Sequence, residues 1–539
     1  GSDLAGATLA GADLTNATVV SAILTGANLA GATLVGTNLA ASNLSSTNLT
    51  GADLTNATAT STNLTGADLT DADLTGADLT NATISSATLL RTNLTDADLT
   101  SVTGVSAILT SVAATGSSLA FANLNGSTLL HGSFAGANML MAHFDTATIT
   151  GTDFTNVTGS YTTWTSATLW RPNFTGADLT GANFTSATLT TATATGANLT
   201  GANLKSTTLT DLSAVGATLD GASLVQTSLT GAILNNASMV GVTGRYASLA
   251  DATLSGVDLT GASLVWSNFD NANAYRATLA GATISDSSFN RTKFHNADLT
   301  AAVLAGSKMA NVSLWAADLT GADVSYTDMT AADLWGTNFT NADLTGAILT
   351  DASGRGVKMA GADLTGAVMN RSGPYLAGLL HVSDISGADL TGADLTGVDF
   401  SNARMYGARQ QSWTRWSPGV DPAAEGVVSR VLDDADAVCD LSAFGDCQAA
   451  DLNHVDLAAR NLEFANLSRV DLAGANLTGA DLTRVRMASA TLTGATLAGA
   501  QLDWANLSRA TLIGSDLTGA DLTYADMSRA DLTGADLTG

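Results

Sequence analysis

The stretch Ala67-Asp68-Leu69-Thr70-Asp71-Ala72-Asp73-Leu74-Thr75-Gly76 decides the fold. Its two halves are the same five-residue phrase, with Leu69 and Leu74 at the centres. Working outward in both directions, a large apolar residue recurs at every fifth position from Leu4 to Leu379 without insertion or deletion, giving 76 units. Of those centres, 66 are Leu, Phe, Met, Ile, Val or Trp. A small residue, usually Ala, stands two places before each centre, and Asp, Asn, Thr or Ser one place before it. Thr-Gly commonly follows. A period of five matches neither the 3.6 of a helix nor the 2 of a strand. The chain must therefore turn once per unit, and a chain that repeats this way is one architecture rather than several domains.

This Ala-(Asp/Asn)-Leu-x-x phrase closely resembles the repeat of the pentapeptide-repeat family, over nearly the whole chain. The resemblance implies an all-β, right-handed quadrilateral β-solenoid with four units per coil. The centre and the small residue two before it would point inward, and the other three would face solvent. A 20-residue coil makes its own prediction, since residues 20 apart should stack. Phe134, Phe154 and Phe174 fall at that spacing, as do Phe144, Trp164 and Phe184. The two series are ten residues apart and belong on opposite walls, so their rings should pack across layers.

The organisation expected is an uninterrupted solenoid over residues 1–380, a continuation over 381–410 after a one-residue register shift beside Pro374, a non-repeat insert over 411–450, and a second solenoid block of 18 units over 451–539. Together these make about 25 coils and a rod of roughly 120 Å at the spacing of paired strands. Within the insert, Asp421-Pro422 reads as a helix cap, and the stripe Val427, Val428, Val431, Leu432 and Val438 as a short helix over Ala423 to Cys439. Trp413 and Trp416 would anchor it against the rod.

The net charge is −27, and 46 of the 48 acids are Asp; Glu425 and Glu463 are the exceptions. A repeated position thus accepts Asp and rejects Glu, as expected where a short side chain must reach nearby backbone. Direct nucleic-acid binding is disfavoured, because phosphate contacts need clustered cations. No run of about 18 apolar residues is present, which excludes a membrane-spanning helix. Cys439 and Cys447 suit a small disulfide loop and equally two reduced thiols; zinc is excluded because no other Cys or close His pair accompanies them. The five His, at 131, 143, 295, 381 and 454, stand apart. No nucleophile or phosphate-binding motif appears, so neither an enzyme nor a bound cofactor or metal is expected.

Exposed columns carry the functional signal. The place just after the centre holds Tyr275, His295, Trp315, Trp335, Arg355 and Tyr375 on six consecutive coils, flanked by small residues such as Gly336, Gly356 and Gly373. Large aromatics are expected to be scarce elsewhere on the surface. A second column comprises Phe464, Arg484, Trp504 and Tyr524, and beside it Arg469, Arg509 and Arg529 are interrupted by Ser489. Such columns either stack on themselves, stabilising the rod, or form a binding strip for a protein or a carbohydrate. The leading reading is a non-enzymatic structural or interaction rod, extracellular or on a cell surface, with end-to-end self-association through its terminal coils. A second follows from the resemblance: some pentapeptide-repeat proteins mimic DNA and bind the topoisomerase gyrase. A third, adsorption to ice or another surface through Thr arrays, is weakened because Ala120 interrupts the column of Thr60, Thr80 and Thr100.

Overall fold

In the computed structural model the described residues are 1–370, 383–396, 398, 400, 403–410, 414–416, 420, 422, 428–429, 452 and 457–539. The local unit explains the whole. Leu69 N–H donates to Thr88 O at 2.8 Å and Asp71 N–H to Leu90 O at 2.8 Å, both on the next coil, while Asp68 N–H reaches back to Thr47 O at 2.9 Å. Between these bonds the chain turns: Ala72 N–H donates to Leu69 O at 3.0 Å. The third residue of that turn, Asp71, is left-handed at φ 58°. Glycine adopts this conformation freely, which is why Gly is so common two places after a centre.

The Asp bias has an equally direct cause. Asp68 Oδ1 accepts from Thr70 N–H at 3.0 Å and from Thr70 Oγ1 at 2.6 Å. A carboxylate one methylene longer would overshoot that backbone group. Where Asn follows on the next coil, the columns also bond to each other: Asn93 Nδ2 donates to Asp73 Oδ1 at 3.1 Å and to Thr75 Oγ1 at 2.8 Å. Thr in the inward small position is satisfied too, as Thr92 Oγ1 donates to Leu69 O at 2.8 Å.

The fold is all-β: parallel coils stacked into a β-solenoid, with no helix among the described residues. Most pairing is by single parallel bridges between residues 20 apart, such as Asp53↔Asp73 and Asp298↔Asp318. Six places lengthen into strands of one parallel sheet: β1 (Thr88–Leu90), β2 (Ile108–Thr110), β3 (Thr128–Leu130), β4 (Thr148–Thr150), β5 (Thr168–Trp170) and β6 (Thr188–Thr190). β7 (Thr243–Arg245) and β8 (Ser263–Val265) pair in the same way. Away from the terminal coils, nearly all centres and the small residues two before them are buried, including Leu69 and Ala67.

The ring series behaves as its spacing requires. Phe134, Phe154 and Phe174 stack at centroid distances of 5.6 and 5.1 Å, and Phe144, Trp164 and Phe184 at 4.3 and 5.8 Å. Across the interior they meet edge to face, as Phe154 and Trp164 do at 5.5 Å and 78°. The Trp164 indole N–H is satisfied by Thr162 Oγ1 at 2.8 Å.

The chain divides into two compact units. The first comprises Gly1–Asp389, Ala393–Ala408 and Arg415–Val427; the second comprises Leu390–Gly392, Arg409–Thr414 and Val428–Gly539. In the first, the register changes from 20 to 26 residues at Lys358↔Asp384, Asp363↔Asp389 and Val368↔Asp394. In the second, the 20-residue register runs from Asn461↔Asp481 to Asp516↔Asp536.

The insert departs from expectation. Most of the expected helix, and Trp413, Cys439 and Cys447, lie outside the described residues. The part that is described contradicts it: Val428–Ser429 form β10, which pairs in parallel with β9 (Arg409–Gln410). β-Branched apolar residues suit a strand as well as a helical stripe, and here an available strand edge decides. Thr414 Oγ1 donates to Leu390 O at 2.8 Å, Arg415 bridges Asp394, and the Trp416 ring lies 5.3 Å from Phe400. Thr414-Arg415-Trp416 is one further repeat unit, with Trp at its centre.

Candidate functional site

Backbone bonds between coils hold the first ladder at a fixed pitch. Arg276 N–H donates to His295 O at 2.9 Å, Asn296 N–H to Trp315 O at 2.9 Å, Ala316 N–H to Trp335 O at 2.8 Å, and Gly336 N–H to Arg355 O at 2.9 Å. Tyr275, His295, Trp315, Trp335 and Arg355 therefore follow one another along the same corner of the coil, while Tyr375 lies outside the described residues. Tyr275, Trp315 and Trp335 are 36%, 44% and 57% exposed. His295 meets Trp315 edge-on at 5.8 Å and 80°. Its Nε2 lies 2.8 Å from Ser313 Oγ, which in turn donates to Asp333 Oδ2 at 3.2 Å. The serine sits between the imidazole and the carboxylate, so Asp333 does not orient the His as it would in a nucleophilic triad. The network fixes the His ring on the strip.

The second ladder occupies a different place in the unit. Phe464, Arg484, Trp504 and Tyr524 stand two residues after their centres, at φ between 56° and 61°. Arg484 lies over Phe464 at 5.4 Å, and Trp504 stacks on Tyr524 at 4.6 Å and 26°.

Exposed aromatics are more numerous than expected. Phe121, Tyr161, Tyr246, Trp266 and Tyr326 are exposed, and each stands at a left-handed corner two places after a centre. Tyr246 stacks on Trp266 at 5.5 Å, with Arg245 over the same indole at 4.5 Å. Reading the glycine-position columns of the first unit in the way that gave Phe464 to Tyr524 in the second would have found them.

Two of the acids, Asp178 and Asp71, are held below their ordinary pKa. Burial pushes Asp178 up, but hydrogen bonds from Thr180, Ser160 and Asn198 together hold it below its ordinary value. A hydrogen bond from Arg91 lowers Asp71, in a pair with both guanidinium contacts at 2.6 Å. Among the described residues no three His, Cys, Asp or Glu converge as a metal site, and no helix is long and apolar enough to cross a membrane.

A family model for pentapeptide repeats matches residues 1–29, 22–58, 62–100, 173–211, 215–243, 222–261, 247–286, 262–300, 297–336, 332–371, 383–409, 450–487, 461–499 and 500–539. It describes a repeat rather than a catalytic domain. No curated protein sequence matches the chain. Among solved structures, HetL, a pentapeptide repeat protein involved in heterocyst differentiation regulation in the cyanobacterium Nostoc sp. strain PCC 7120, is 26% identical over 51% of this chain and 88% of its own, with a TM-score of 0.18. A pentapeptide repeat protein of the Arabidopsis thaliana thylakoid lumen is 29% identical over 22% of this chain and 68% of its own, with a TM-score of 0.13. QnrB1, a plasmid-mediated fluoroquinolone resistance protein, is 17% identical over 39% of this chain and 91% of its own, with a TM-score of 0.15.

Proposed function

Because the chain belongs to the pentapeptide-repeat family, we propose that it is a non-enzymatic interaction scaffold, and that the ladder Tyr275, His295, Trp315, Trp335, Arg355 and Tyr375 is its strip for a protein partner. One observation carries this reading. Half-exposed Trp315 and Trp335 stand on consecutive coils that the backbone cannot let drift apart. Rigid aromatic anchors of this kind are what interface hot spots are made of. Trp335 is the more exposed of the two, so packing within the fold alone accounts poorly for it. Photo-crosslinking from position 316, exposed beside Trp315, in the source cells should label a discrete protein. Trp315→Ala with Trp335→Ala should abolish the labelling while leaving the melting curve in place. Labelling that survives the double substitution overturns the strip. If the strip instead takes a carbohydrate, binding to glycan arrays will replace protein labelling.

A topoisomerase-binding DNA mimic is the second reading, favoured by the regularly spaced Asp columns and the charge of −27. Inhibition or protection of supercoiling that weakens steeply with salt would support it. No effect at low salt and micromolar protein removes it.

A further inference from the structure

All four corners of each coil in the C-terminal block demand the same left-handed residue two places after the centre. Glycine meets that demand freely, whereas another L-residue gives up roughly 1–2 kcal/mol. From Phe464 onward two of the four corners use glycine on every coil: Gly474, Gly494, Gly514 and Gly534 on one, and Gly479, Gly499, Gly519 and Gly539 on the next, where only the preceding Ala459 departs. The remaining two corners refuse it. One carries Phe464, Arg484, Trp504 and Tyr524, and the other Arg469, Ser489, Arg509 and Arg529, all at φ between 56° and 61°. Stacking of Trp504 on Tyr524 and of Arg484 over Phe464 offsets part of that cost at the first corner, but among the described residues Arg469, Arg509 and Arg529 make no ring contact or ion pair that would offset it at the second. Both loaded corners border the same face.

That face is a trough. Its floor is the column Asn466, Arg486, Asn506 and Asp526, bridged in register. The stacking of Trp504 on Tyr524 and of Arg484 over Phe464 turns ring and guanidinium faces toward one another along the coil axis. Ring edges, which carry the positive part of the quadrupole, are left for a partner. Indole N–H and guanidinium groups donate and cannot accept. The acids here, Glu463, Asp503 and Asp526, are outnumbered by five Arg in a chain that is otherwise strongly acidic. Trp504 and Tyr524 are 55% and 73% exposed.

We propose that this trough takes the row Asp323, Asp343, Asp363 and Asp389 of a second copy of the chain. These four carboxylates stand on successive coils, joined by bridges. In the first three, Oδ1 accepts from the backbone N–H two residues on, at 3.0, 2.8 and 2.9 Å, so one oxygen of each fixes the carboxylate in place. Pitch selects the occupant. Both rows repeat once per coil, about 4.8 Å, so Arg-Ser-Arg-Arg meets Asp-Asp-Asp-Asp position for position. An extended acidic peptide offers same-face side chains about every 6.7 Å and loses register after two coils. At physiological salt, charges beyond about 8 Å are screened, so the overall repulsion of two acidic copies fades while pairs in contact persist. The contact joins different surfaces, so it propagates from copy to copy.

This deepens the scaffold reading for the second ladder and does not depend on the first. Sedimentation of the full chain at about 0.15 M NaCl should show mass growing with concentration and reverting to monomer at about 1 M. Arg469→Asp, Arg509→Asp and Arg529→Asp together leave the Asp row intact; Asp323→Asn, Asp343→Asn and Asp363→Asn together leave the trough intact and keep the Oδ1 acceptors. Each triple variant alone should weaken association about 100-fold. Mixed, they should form a one-to-one complex that does not grow. Monomer at every concentration, association indifferent to both variants, or failure of the mixture to pair overturns the proposal. So does capture of an oligonucleotide or acidic polysaccharide by the trough while copies stay monomeric. Trp315→Ala with Trp335→Ala should leave self-association unchanged, so the two strips can fail separately.

Discussion

Two neighbouring layers of the first unit share a backbone and differ in filling. In the layer from Phe134 to Phe184, six rings occupy alternate centres, stack at one ring per coil on each of two walls and close the interior. Immediately beyond, Ala194 and Ala214 replace rings at the centre, and an apolar cavity opens among Phe184, Leu189, Ala194, Leu204 and Leu212. Thr191 Oγ1, beside it, is buried with no hydrogen-bond partner among the described residues. The interstrand bonds are the same in both: Phe174 N–H to Thr193 O is 2.6 Å, and Ala194 N–H to Ser213 O is 2.7 Å. The coil is thus set by backbone pairing and turn chemistry, which tolerate poor filling, while the side chains within set how firmly each layer holds.

The comparison breaks most severely at Trp164. Trp164→Ala should cost about 3–5 kcal/mol, because it removes a ring stacked on both sides and orphans the Thr162 contact. Amide exchange should accelerate across the coils from Phe144 to Phe184 and much less at coils well away from them, since repeat coils are stabilised by their neighbours. Uniform acceleration along the unit would show that the ring layer has no local role.

Thr191 tests the poorer layer from the other direction. It combines an unpartnered hydroxyl with a β-branched residue at φ 51°. Thr191→Gly should remove both penalties and stabilise by about 1–2 kcal/mol, read as slower exchange at Ala192 through Ala194. Destabilisation would mean that the hydroxyl finds a partner in solution.

The ring layer was legible because period 20 is visible once period 5 is accepted: Phe134 to Phe174 can be counted off the chain. The Asp preference was legible for the same reason, since only a short carboxylate reaches the N–H two residues on. The cavity was not. Ala194 announces a smaller centre, but whether neighbours such as Leu212 swing in to fill it depends on packing that no spacing encodes. Both C-terminal columns could be counted off the chain, but Phe121, Tyr161, Tyr246, Trp266 and Tyr326 escaped notice because a position that usually reads Gly is easily taken for a bare turn. The insert misled through composition: Val427, Val428 and Val431 give a helical stripe, yet Val428 found a strand partner at Arg409.

A smaller gain should come from filling the void. Ala194→Val adds two methyl-sized groups at a cavity wall and should stabilise by about 0.5–1 kcal/mol. The same change at Ala177, buried against the rings, should instead cost about 1–3 kcal/mol by overpacking. Opposite signs sharpen the contrast between the layers; equal signs would erase it.

The smallest effect concerns charge at the boundary. Asp178 lies in the ring layer and accepts from Ser160, Thr180 and Asn198, the last on the neighbouring coil toward the cavity. Burial alone would raise its pKa, and these donors outweigh burial, so the folded value lies below the ordinary 3.8. A carboxylate depressed on folding contributes stability above the unfolded pKa and loses it as pH falls through the folded one. Asp178→Asn keeps an oxygen for the Thr180 N–H but abolishes the charge. The variant should therefore be less stable than the parent from neutral pH down to about 3.8, and the gap should close at lower pH. A gap that is constant with pH would mean that the donors act on shape alone, and that the two layers are joined by packing without help from charge.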